Sequence, residues 1–423
     1  MRPLLFTGAE QVVTCAGPGR ARRGAEMRDA GVLRGIAVAL TGDTIAAVGP
    51  EDRLAGAFPD AERVECAGCV LTPGLVDSHT HAVFGRPRYE EQELRAAGVD
   101  YMEIARRGGG IHSSVRDVRA RDEGDLFALA ADRLRRLASY GTTTVEVKSG
   151  YGLSSESELK LLRVIARLAG ALPLRVIPTW LGAHEIPLER RESAAARASY
   201  VAELVNSMLT SVVAERLARF ADVFCEPGVY TLRESQTILS AAQAAGLGIK
   251  LHADELEPGG GAELAASLGA ISADHLAAIS SPGIRALADS GTVATLLPGT
   301  MLFLGRPKQA PARELIDAGA AVALATDFNP GTSPTVNFPL ILSLGVSQLR
   351  MSVAEVMIAA TVNGAAALGL AARVGQIAPG YSADLSLFEG EDIRELPYWY
   401  GDRRCRGSWV RGKTCHPYDL RVS

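Results

Sequence analysis

The sequence predicts an α/β protein: a (β/α)8 TIM barrel with a small β-sandwich domain built from both termini. Helix-length amphipathic segments fill the middle of the chain, and each is followed by a short apolar run. Such alternation predicts repeated βα units around a parallel sheet. Eight apolar runs can be counted in this region, which is the number that closes a barrel. Both ends of the chain are instead rich in short β-type runs separated by glycine turns.

The two ends predict the small β domain. Residues 34–40 and 44–49 are β-rich runs around a Gly-Asp turn, which is a hairpin pattern. Similar β-type runs with turn residues between them recur at residues 375–388 and 407–413. We therefore expect residues 1–70 and 374–423 to form the small domain and residues 71–373 to form the barrel.

The barrel elements follow one another in a regular order. Apolar runs bounded by turn residues predict the strands, and periodicity near 3.6 predicts the helices. The predicted strands lie at residues 71–77, 142–148, 174–181, 221–225, 248–252, 270–275, 292–297 and 320–327. The predicted intervening helices lie at residues 125–140, 156–169, 194–219, 233–245, 261–268, 282–289 and 312–318.

Histidines cluster at the predicted strand ends. Catalytic groups of such barrels lie at the carboxyl ends of the strands. Five of the seven histidines fall there, namely His79, His81, His184, His252 and His275. The two exceptions are His112, beside a glycine-rich loop, and His416, in the C-terminal tail. This distribution indicates an active site at the carboxyl end of the barrel.

A metal site is predicted from four of the residues at these ends. His79 and His81 are two positions apart in an extended strand and point to the same side. His252 and Asp327 supply a third imidazole and a carboxylate, the donor types of a catalytic zinc site. Asp327 has an alternative reading as a turn or helix cap, since Asn-Pro-Gly follows closely. A bound ion would make water a nucleophile at neutral pH.

Three further residues are expected to assist the chemistry. Glu255 lies three positions after His252 and can shuttle a proton from water to the leaving nitrogen. Its alternative is a surface glutamate or a partner that orients an imidazole. His184 can hydrogen-bond a substrate carbonyl, and His275 can stabilise the oxyanion or the attacking water. Each histidine has a structural core role as its alternative, and Asp327 can also accept the proton of water.

One metal ion is favoured over two. A second cation would need a bridging anion, and Glu226 at the end of the fourth strand is a candidate. Pro-Gly follows Glu226 and indicates a turn instead. Lys148, at the end of the second strand, is interpreted as a cation near the barrel mouth, either binding substrate or solvated.

Substrate-binding residues are expected in the loops over the mouth. Arg88 lies seven positions after His81, in the first βα loop, and arginine suits bidentate binding of a carboxylate. Tyr101 and Tyr151 also fall in loops over the mouth.

Composition excludes several other classes of protein. The formal charge of −4 leaves no basic stripe for nucleic acid, and no apolar run is long enough to cross a bilayer. Six cysteines scattered through 423 residues do not predict a disulfide framework. Cys66 and Cys69 form a C-x-x-C pair without a second pair, and we interpret them as buried thiols. We expect a cytoplasmic enzyme.

The histidine and carboxylate motifs at the predicted strand ends resemble those of the amidohydrolase superfamily. Within it, they resemble the branch that opens an imidazolone ring in histidine degradation. The matching stretches run through nearly the whole barrel: Asp77-Ser-His-Thr-His-Ala-Val-Phe-Gly85, Gly108-Gly-Gly-Ile111, Lys148-Ser-Gly-Tyr-Gly-Leu153, Leu181-Gly-Ala-His184, His252-Ala-Asp-Glu255, Ser272-Ala-Asp-His-Leu276 and Ala325-Thr-Asp-Phe-Asn-Pro-Gly331. The resemblance implies hydrolysis of the cyclic amide of 4-imidazolone-5-propanoate to N-formimidoyl-L-glutamate.

The resemblance also implies a cofactor, an assembly and a substrate pocket. One zinc or iron ion per subunit would be held by the four predicted ligands, and the protein would be a homodimer. Arg88 would hold the propionate carboxylate of the substrate. The ring would contact Tyr151, His184 and Glu255, and the far side of the pocket would be lined by Asn329, Gly331 and Thr332.

The chain departs from the family pattern in two places. The family usually has Gly-Gly-Ser-Arg where this chain has Gly85-Arg-Pro-Arg88, so Arg86 competes with Arg88 for the carboxylate. His112 replaces a leucine or a similar residue. Neither change removes a predicted metal ligand.

Two other functions compete with this one. A deaminase of the same superfamily, acting on guanine, cytosine or a related heterocycle, would share the metal and Glu255 but would have less need of Arg88. A non-catalytic relative would have lost metal ligands, and this chain has lost none.

Overall fold

The computed structural model describes residues 2–99, 103 and 108–417. Its strands build both the barrel and the small β domain. Before the barrel come β1 Leu4–Thr7, β2 Gln11–Val13, β3 Val32–Leu33, β4 Ile36–Thr41, β5 Thr44–Pro50, β6 Glu62–Glu65 and β7 Cys69–Pro73. The barrel strands are β8 Leu75–Asp77, β9 Thr142–Lys148, β10 Arg175–Ala183, β11 Phe220–Cys225, β12 Gly248–Ala253, β13 Ser272–His275, β14 Val293–Leu296 and β15 Val322–Leu324. The chain returns through β16 Leu385–Glu389, β17 Cys405–Val410 and β18 Lys413–His416.

Helices connect these strands. The α-helices of the described residues are α1 Glu51–Ala57, α2 Tyr89–Ala96, α3 Ile111–Ala120, α4 Glu123–Ala138, α5 Ser155–Ala171, α6 Ala194–Glu203, α7 Leu209–Ala214, α8 Leu232–Ala244, α9 Gly261–Leu268, α10 Ser281–Ser290, α11 Pro298–Phe303, α12 Ala312–Asp317, α13 Phe338–Ser347, α14 Val353–Ile358, α15 Gly364–Ala366 and α16 Glu395–Tyr398. Short 3-10 turns lie at Gly24–Arg28 and Leu188–Arg190, and π turns lie at Leu204–Met208 and Ala359–Asn363. None of the helices in the described ranges is long and apolar enough to cross a membrane.

Local sequence explains why the helices form where they do. The N-terminal residue of α5 is preceded by Ser154, whose side chain accepts a hydrogen bond from the backbone N–H of Ser157, satisfying a donor that the helix leaves free. The same helix buries Leu161, Ile165 and Leu168 on one face, as a period of 3.6 requires. The long helix predicted over residues 194–219 is continuous through the π turn at Leu204–Met208, but it ends at Ala214, five residues before the predicted end.

The predicted barrel is confirmed. Strands β8 to β15 are parallel and pair in chain order. The first and last strands meet just beyond their ends, at a parallel bridge between Thr80 and Phe328. There the backbone N–H of Asp327 donates to the carbonyl of His79 at 3.0 Å, and the N–H of His81 donates to the carbonyl of Phe328 at 2.9 Å. These bonds close the barrel beside three predicted metal ligands.

The predicted β domain from both termini is also confirmed. Its two sheets have the orders β5-β4-β1-β6 and β18-β17-β16-β7-β2-β3. Their buried faces share a core in which the Phe6 ring meets the Trp409 ring edge to face, with centroids 4.8 Å apart. Buried Leu71 and Leu385 belong to the same cluster.

The first barrel strand begins later than the sequence predicted. The sequence placed residues 71–77 in one strand, but residues 71–73 belong to β7 and pair with β16 and β2 of the small domain. The barrel strand begins at Leu75, after Gly74. A Cβ at Gly74 would collide with the Thr143 side chain, so a glycine is needed where the chain passes from one sheet to the other.

A polar contact joins the barrel to the small domain. Arg175 Nη2 donates to Asp384 Oδ2 at 3.0 Å and to Ser382 Oγ at 2.9 Å. Asp384 is buried, and its Oδ1 also accepts from the backbone N–H of Arg411 at 2.8 Å. The carboxylate thus ties strand β10 to the returning C-terminal segment.

We expect Asp384→Ala to lower the midpoint of thermal unfolding. The substitution leaves the Arg175 guanidinium without its buried partner, at a cost of about 1.5–3 kcal/mol. Differential scanning calorimetry of the variant and the parent protein measures the change. Arg163→Ala is the control, because Arg163 pairs with Glu215 on an exposed surface and such pairs contribute little. Equal midpoints for Asp384→Ala and Arg163→Ala would contradict this prediction.

Candidate metal centre and active site

The four predicted metal ligands converge at the carboxyl end of the barrel. His79 and His81 follow β8, His252 lies in β12, and Asp327 follows β15. His79 Nε2 and His81 Nε2 are 3.3 Å apart, and His81 Nε2 and His252 Nε2 are 3.4 Å apart. Asp327 Oδ1 lies 3.6 Å from His79 Nε2 and 3.5 Å from His81 Nε2. All four side chains are buried.

Burial and neighbouring carboxylates act on the imidazoles of this group. Burial, reinforced by the charge of Lys148, holds the pKa of His79 well below its ordinary value, and burial does the same for His81. His79 Nδ1 lies 2.7 Å from Asp274 Oδ2, and His252 Nδ1 lies 3.0 Å from Asp222 Oδ2. The Asp274 carboxylate therefore assigns the His79 ring proton to Nδ1 and leaves a lone pair on Nε2, and the nearness of Asp222 favours the same tautomer of His252.

This donor set fits a divalent metal ion. Lone pairs this close repel each other unless a cation lies between them. Ligands about 2.1 Å from a tetrahedral zinc ion are about 3.4 Å from each other, which is the spacing found among the nitrogens and the Asp327 oxygen. His79, His81 and His252 each offer a ligand atom to one common position.

Asp327 is positioned by its own backbone and by a hydroxyl. Its φ is 50°, in the left-handed region, and such strain recurs where a functional site determines the backbone. Thr300 Oγ1 donates to Asp327 Oδ2 at 2.6 Å, so Oδ1 faces the histidines. Burial raises the pKa of Asp327 to about 6, a range in which a carboxylate can exchange protons near neutral pH.

Glu255 and His275 lie together beside this group. His275 Nδ1 is 3.5 Å from Glu255 Oε2, and the His275 ring centroid is 5.1 Å from that of His252. Burial, with the charges of Asp327 and Glu226, raises the pKa of Glu255 well above its ordinary value. Glu255 is therefore a carboxyl suited to accept and return a proton.

His184 and Tyr151 form the opposite wall. The His184 ring is stacked on His81, with centroids 4.9 Å apart and an interplanar angle of 16°. The Tyr151 ring lies 5.4 Å from that of His184 and 5.9 Å from that of His81. His184 Nδ1 is 3.0 Å from the carbonyl of Gly150, so Nε2 is the nitrogen left for a substrate. Burial, followed by the effect of His252, lowers the pKa of His184 to about 3.

The Arg88 side chain is largely buried, whereas Arg86 is exposed. The Arg88 side chain is 9% accessible, and its Nε lies 3.5 Å from Glu91 Oε1. Its Nη1 donates to Ser114 Oγ at 3.4 Å. A Cβ at Gly331 would overlap the guanidinium, so that glycine makes the space for it. Arg86 instead points outward and pairs with Glu90, so the geometry favours Arg88 as a ligand for a carboxylate.

The loop of Asn329, Gly331 and Thr332 is held by its own hydrogen bonds. Asn329 Oδ1 accepts from the N–H of Gly331 at 2.9 Å and from that of Thr332 at 2.8 Å, and Asn329 Nδ2 donates to the carbonyl of Asp327 at 2.7 Å. The Asn329 side chain thus shapes the loop next to Arg88. Tyr101 lies outside the described residues. His112 lies in α3, where burial and then Arg191 lower its pKa to about 4.

One interpretation from the sequence needs correction, and one alternative that it left open is now disfavoured. Lys148 is fully buried inside the barrel and is not at the mouth; its Nζ lies 2.7 Å from Asp222 Oδ2 and 2.9 Å from Glu146 Oε2. Glu226 accepts backbone hydrogen bonds from Glu255, Leu256 and Glu257 at 2.8 to 3.0 Å. Both Glu226 oxygens are therefore engaged in holding the loop of Glu255, which argues against a metal bridge there.

The sequence analysis missed the charged residues beneath the metal ligands. These are Glu146, Asp222, Lys250 and Asp274, all buried. A charged residue inside an otherwise apolar strand was the available signal, and Lys250 lies two positions before His252 on the same face. In another group of possible ligands, formed by His79, Glu146 and Asp274, the two carboxylates already contact the ammonium groups of Lys148 and Lys250.

Several known proteins resemble this chain in sequence or in fold. The family described as the Amidohydrolase family matches residues 70–415. The imidazolonepropionase of Symbiobacterium thermophilum is 48% identical over 407 residues, and that of Geobacillus kaustophilus is 46% identical over 406 residues; each alignment covers 95% of both chains. A solved adenosine deaminase from Xanthomonas campestris, with bound zinc, shares the fold at a TM-score of 0.70 and 18% identity, covering 99% of this chain and 94% of that one.

We expect His252→Ala to lose most of the divalent metal that the parent protein retains. The substitution removes one of three imidazoles that meet at the common position, and loss of a ligand weakens the remaining set. Inductively coupled plasma mass spectrometry after extensive dialysis gives the metal content. His416→Ala, a change outside the histidine cluster, should keep the parent content. Full occupancy in His252→Ala would contradict the role of His252.

Proposed function

The chain belongs to the amidohydrolase family and, within it, to the imidazolonepropionases, and from this membership we propose how its residues perform the reaction. The reaction is hydrolysis of the cyclic amide of 4-imidazolone-5-propanoate to N-formimidoyl-L-glutamate in L-histidine degradation. The observation that carries the proposed residue roles is the convergence of three Nε2 atoms and the Asp327 carboxylate at the barrel mouth.

Members of this family depend on a metal ion, and the chain has a site of histidines and an aspartate that suits one. We propose one zinc or iron ion per subunit, held by His79, His81, His252 and Asp327. Such an ion supplies Lewis acidity that makes water a nucleophile near neutral pH. Glu226 bonds the backbone of a neighbouring loop, which supports a single ion.

The protein groups around this position can manage the protons of the reaction. Hydrolysis adds water to the ring carbonyl carbon and breaks the bond from that carbon to the ring nitrogen. Glu255 takes a proton from the water and gives it to the departing nitrogen, a role that its raised pKa supports. His275, next to Glu255, is placed to stabilise the negative charge that develops on the carbonyl oxygen. Asp327 is the second group able to accept the first proton.

The substrate is oriented by groups on the opposite side. The Arg88 guanidinium binds the propionate carboxylate, since planar paired donors match two carboxylate oxygens. Tyr151 and His184 contact the ring. The loop of Asn329, Gly331 and Thr332 closes the far side, with Gly331 leaving room for Arg88. We also propose that the protein is a cytoplasmic homodimer.

Turnover of freshly generated imidazolone propionate, combined with metal analysis, tests this function. Guanine and cytosine are assayed in parallel, because a deaminase of the same superfamily would use the same metal and Glu255. Hydrolysis of imidazolone propionate with negligible release of ammonia from guanine or cytosine is the expected result. The opposite preference would overturn the proposal.

We expect Arg88→Ala to raise KM for imidazolone propionate strongly while changing kcat less. Arg88 is assigned to the propionate carboxylate, which is remote from the bond that breaks, so its loss weakens binding of substrate and transition state alike. Steady-state kinetics separates the two constants. Arg86→Ala removes the exposed neighbouring guanidinium and should behave as the parent enzyme. An unchanged KM in Arg88→Ala would contradict the carboxylate role.

We expect Glu255→Gln to lower kcat by about 10²- to 10⁴-fold, the usual contribution of a general acid–base group. The amide keeps the size of the side chain but cannot take a proton from water. Metal content should stay at the parent value, because Glu255 is not among the proposed ligands. Glu257→Gln, at an exposed position of the same loop, is the matched control. A parental kcat in Glu255→Gln would rule out the proton shuttle.

A further inference from the structure

The interior of the barrel beneath the metal ligands is filled by charges. Interiors of such barrels are usually packed with branched apolar side chains. Here Glu146 and Lys148 of β9, Asp222 of β11, Lys250 of β12 and Asp274 of β13 are almost completely buried. Burying charges is costly unless each finds a partner. Packing alone therefore does not explain why these five charged side chains are buried inside the barrel.

The two lysines connect the three carboxylates. Lys148 Nζ lies 2.7 Å from Asp222 Oδ2, 2.9 Å from Glu146 Oε2 and 3.7 Å from Asp274 Oδ2. Lys250 Nζ lies 2.8 Å from Glu146 Oε2 and 3.6 Å from Asp274 Oδ2. Burial alone would lower the pKa of Lys148, but the carboxylates outweigh it and raise that pKa. Lys148 is thus a fixed cation inside the barrel.

The carboxylates in turn contact the metal ligands. Asp274 Oδ2, which both ammonium groups approach, lies 2.7 Å from His79 Nδ1. Asp222 Oδ2, bonded by Lys148, lies 3.0 Å from His252 Nδ1, and Asp222 Oδ1 accepts from the backbone N–H of His252 at 3.2 Å. Lys250 Nζ also donates to the carbonyl of Ser78 at 2.8 Å, directly before His79 in the chain.

The strand geometry keeps these contacts together. Glu146 and Lys148 share one face of β9, and Lys250 and His252 share one face of β12, because positions i and i+2 of a strand point the same way. Asp222 is level with Lys250 in the pairing of β11 and β12, and His252 is level with Asp274 in the pairing of β12 and β13. The two lysines therefore lie in the barrel interior directly beneath the proposed metal ligands.

Lysine suits this buried layer better than arginine would. The chain contains five lysines among its 44 basic residues, yet both cations of this barrel layer are lysines. A compact ammonium with three donors can bond several carboxylates in a small space, whereas a planar guanidinium is larger and bonds in a fixed fork. The space between these carboxylates therefore suits the ammonium group of lysine better than a guanidinium group.

We propose that Lys148 and Lys250 are positioning residues of the metal centre. They hold Asp222 and Asp274 in place, and these carboxylates hold the His252 and His79 rings so that their Nε2 atoms meet at one point. The inference rests on the proposed assignment of His79 and His252 as metal ligands. It adds that metal affinity depends on two residues that never touch the metal.

The test measures metal binding by the full-length apoprotein. Zinc dissociation constants come from competition with a chromophoric chelator, and the visible spectrum of the cobalt-loaded protein reports the ligand geometry. Lys148→Met and Lys250→Met keep an unbranched side chain one atom shorter than lysine and remove its charge. Zinc affinity should fall about 10- to 100-fold in each, as when partners of metal-bound imidazoles are lost, and the cobalt spectrum should change.

Lys160→Met is the matched control. Lys160 Nζ donates to the carbonyls of Val118, Arg119 and Arg121 at 2.8 to 3.2 Å, outside the barrel interior. Its loss should destabilise the fold while leaving zinc affinity and the cobalt spectrum as in the parent. Parental affinity in both folded barrel variants would overturn the inference.

A double-mutant cycle distinguishes positioning from general stability. If Lys148 acts through Asp222, then Asp222→Asn should weaken zinc binding in the parent protein but add little in Lys148→Met. Additive losses would overturn the inference. If the methionine variants do not fold, Lys148→Gln and Lys250→Gln replace them under the same criteria. Failure of the parent protein itself to bind zinc would instead contradict the proposed metal site.

Discussion

The seam between the first and last strands is the constraint on which the site depends. Reciprocal backbone hydrogen bonds join His79 with Asp327 and His81 with Phe328. Residues 248 positions apart in the chain are thereby set side by side by main-chain geometry, which varies much less than side-chain conformation. The Asp327 carboxylate can face the two imidazoles because its backbone takes a left-handed conformation at this seam. Closing the barrel therefore also brings together three of the four proposed metal ligands.

Buried carboxylates fix the loops that carry the proposed catalytic and binding groups. A carboxylate that accepts several backbone N–H bonds holds a loop more firmly than packing does, because each bond is directional and charge-assisted. The loop of Tyr151 is bound by Glu158, which accepts from Gly150, Gly152 and Leu153. The loop of Glu255 is bound by Glu226, and the start of α9 by Asp254. Preorganisation of this kind suits catalysis, because the groups need no rearrangement during the reaction.

Charge is arranged in layers along the barrel axis. Ammonium groups and carboxylates fill the interior, imidazoles lie above them, and the acidic groups Asp327 and Glu255 border the mouth. Burial lowers the pKa values of the His79 and His81 imidazoles. The carboxylates Asp222 and Asp274 lie beside the Nδ1 atoms of His252 and His79, and Arg88, flanked by Glu91, is the cation proposed to bind the anionic substrate. A single site thereby brings together the proposed metal ligands, the proposed proton carriers and the proposed carboxylate-binding group.

The sequence by itself determined the barrel, the composite terminal domain, and the strand ends at which the histidines and Asp327 lie. These follow from local periodicity and from the rule that carboxyl ends of parallel strands meet at one edge. Only the tertiary structure decided that Lys148 points inward and that Glu226 binds backbone rather than metal. Strands buried on both faces read as continuous apolar runs, so the pattern does not say which face a charged residue takes. The partners of Lys148 and Lys250, such as Asp222 and Ser78, lie 74 and 172 positions away, and closure of the barrel is what brings them into contact.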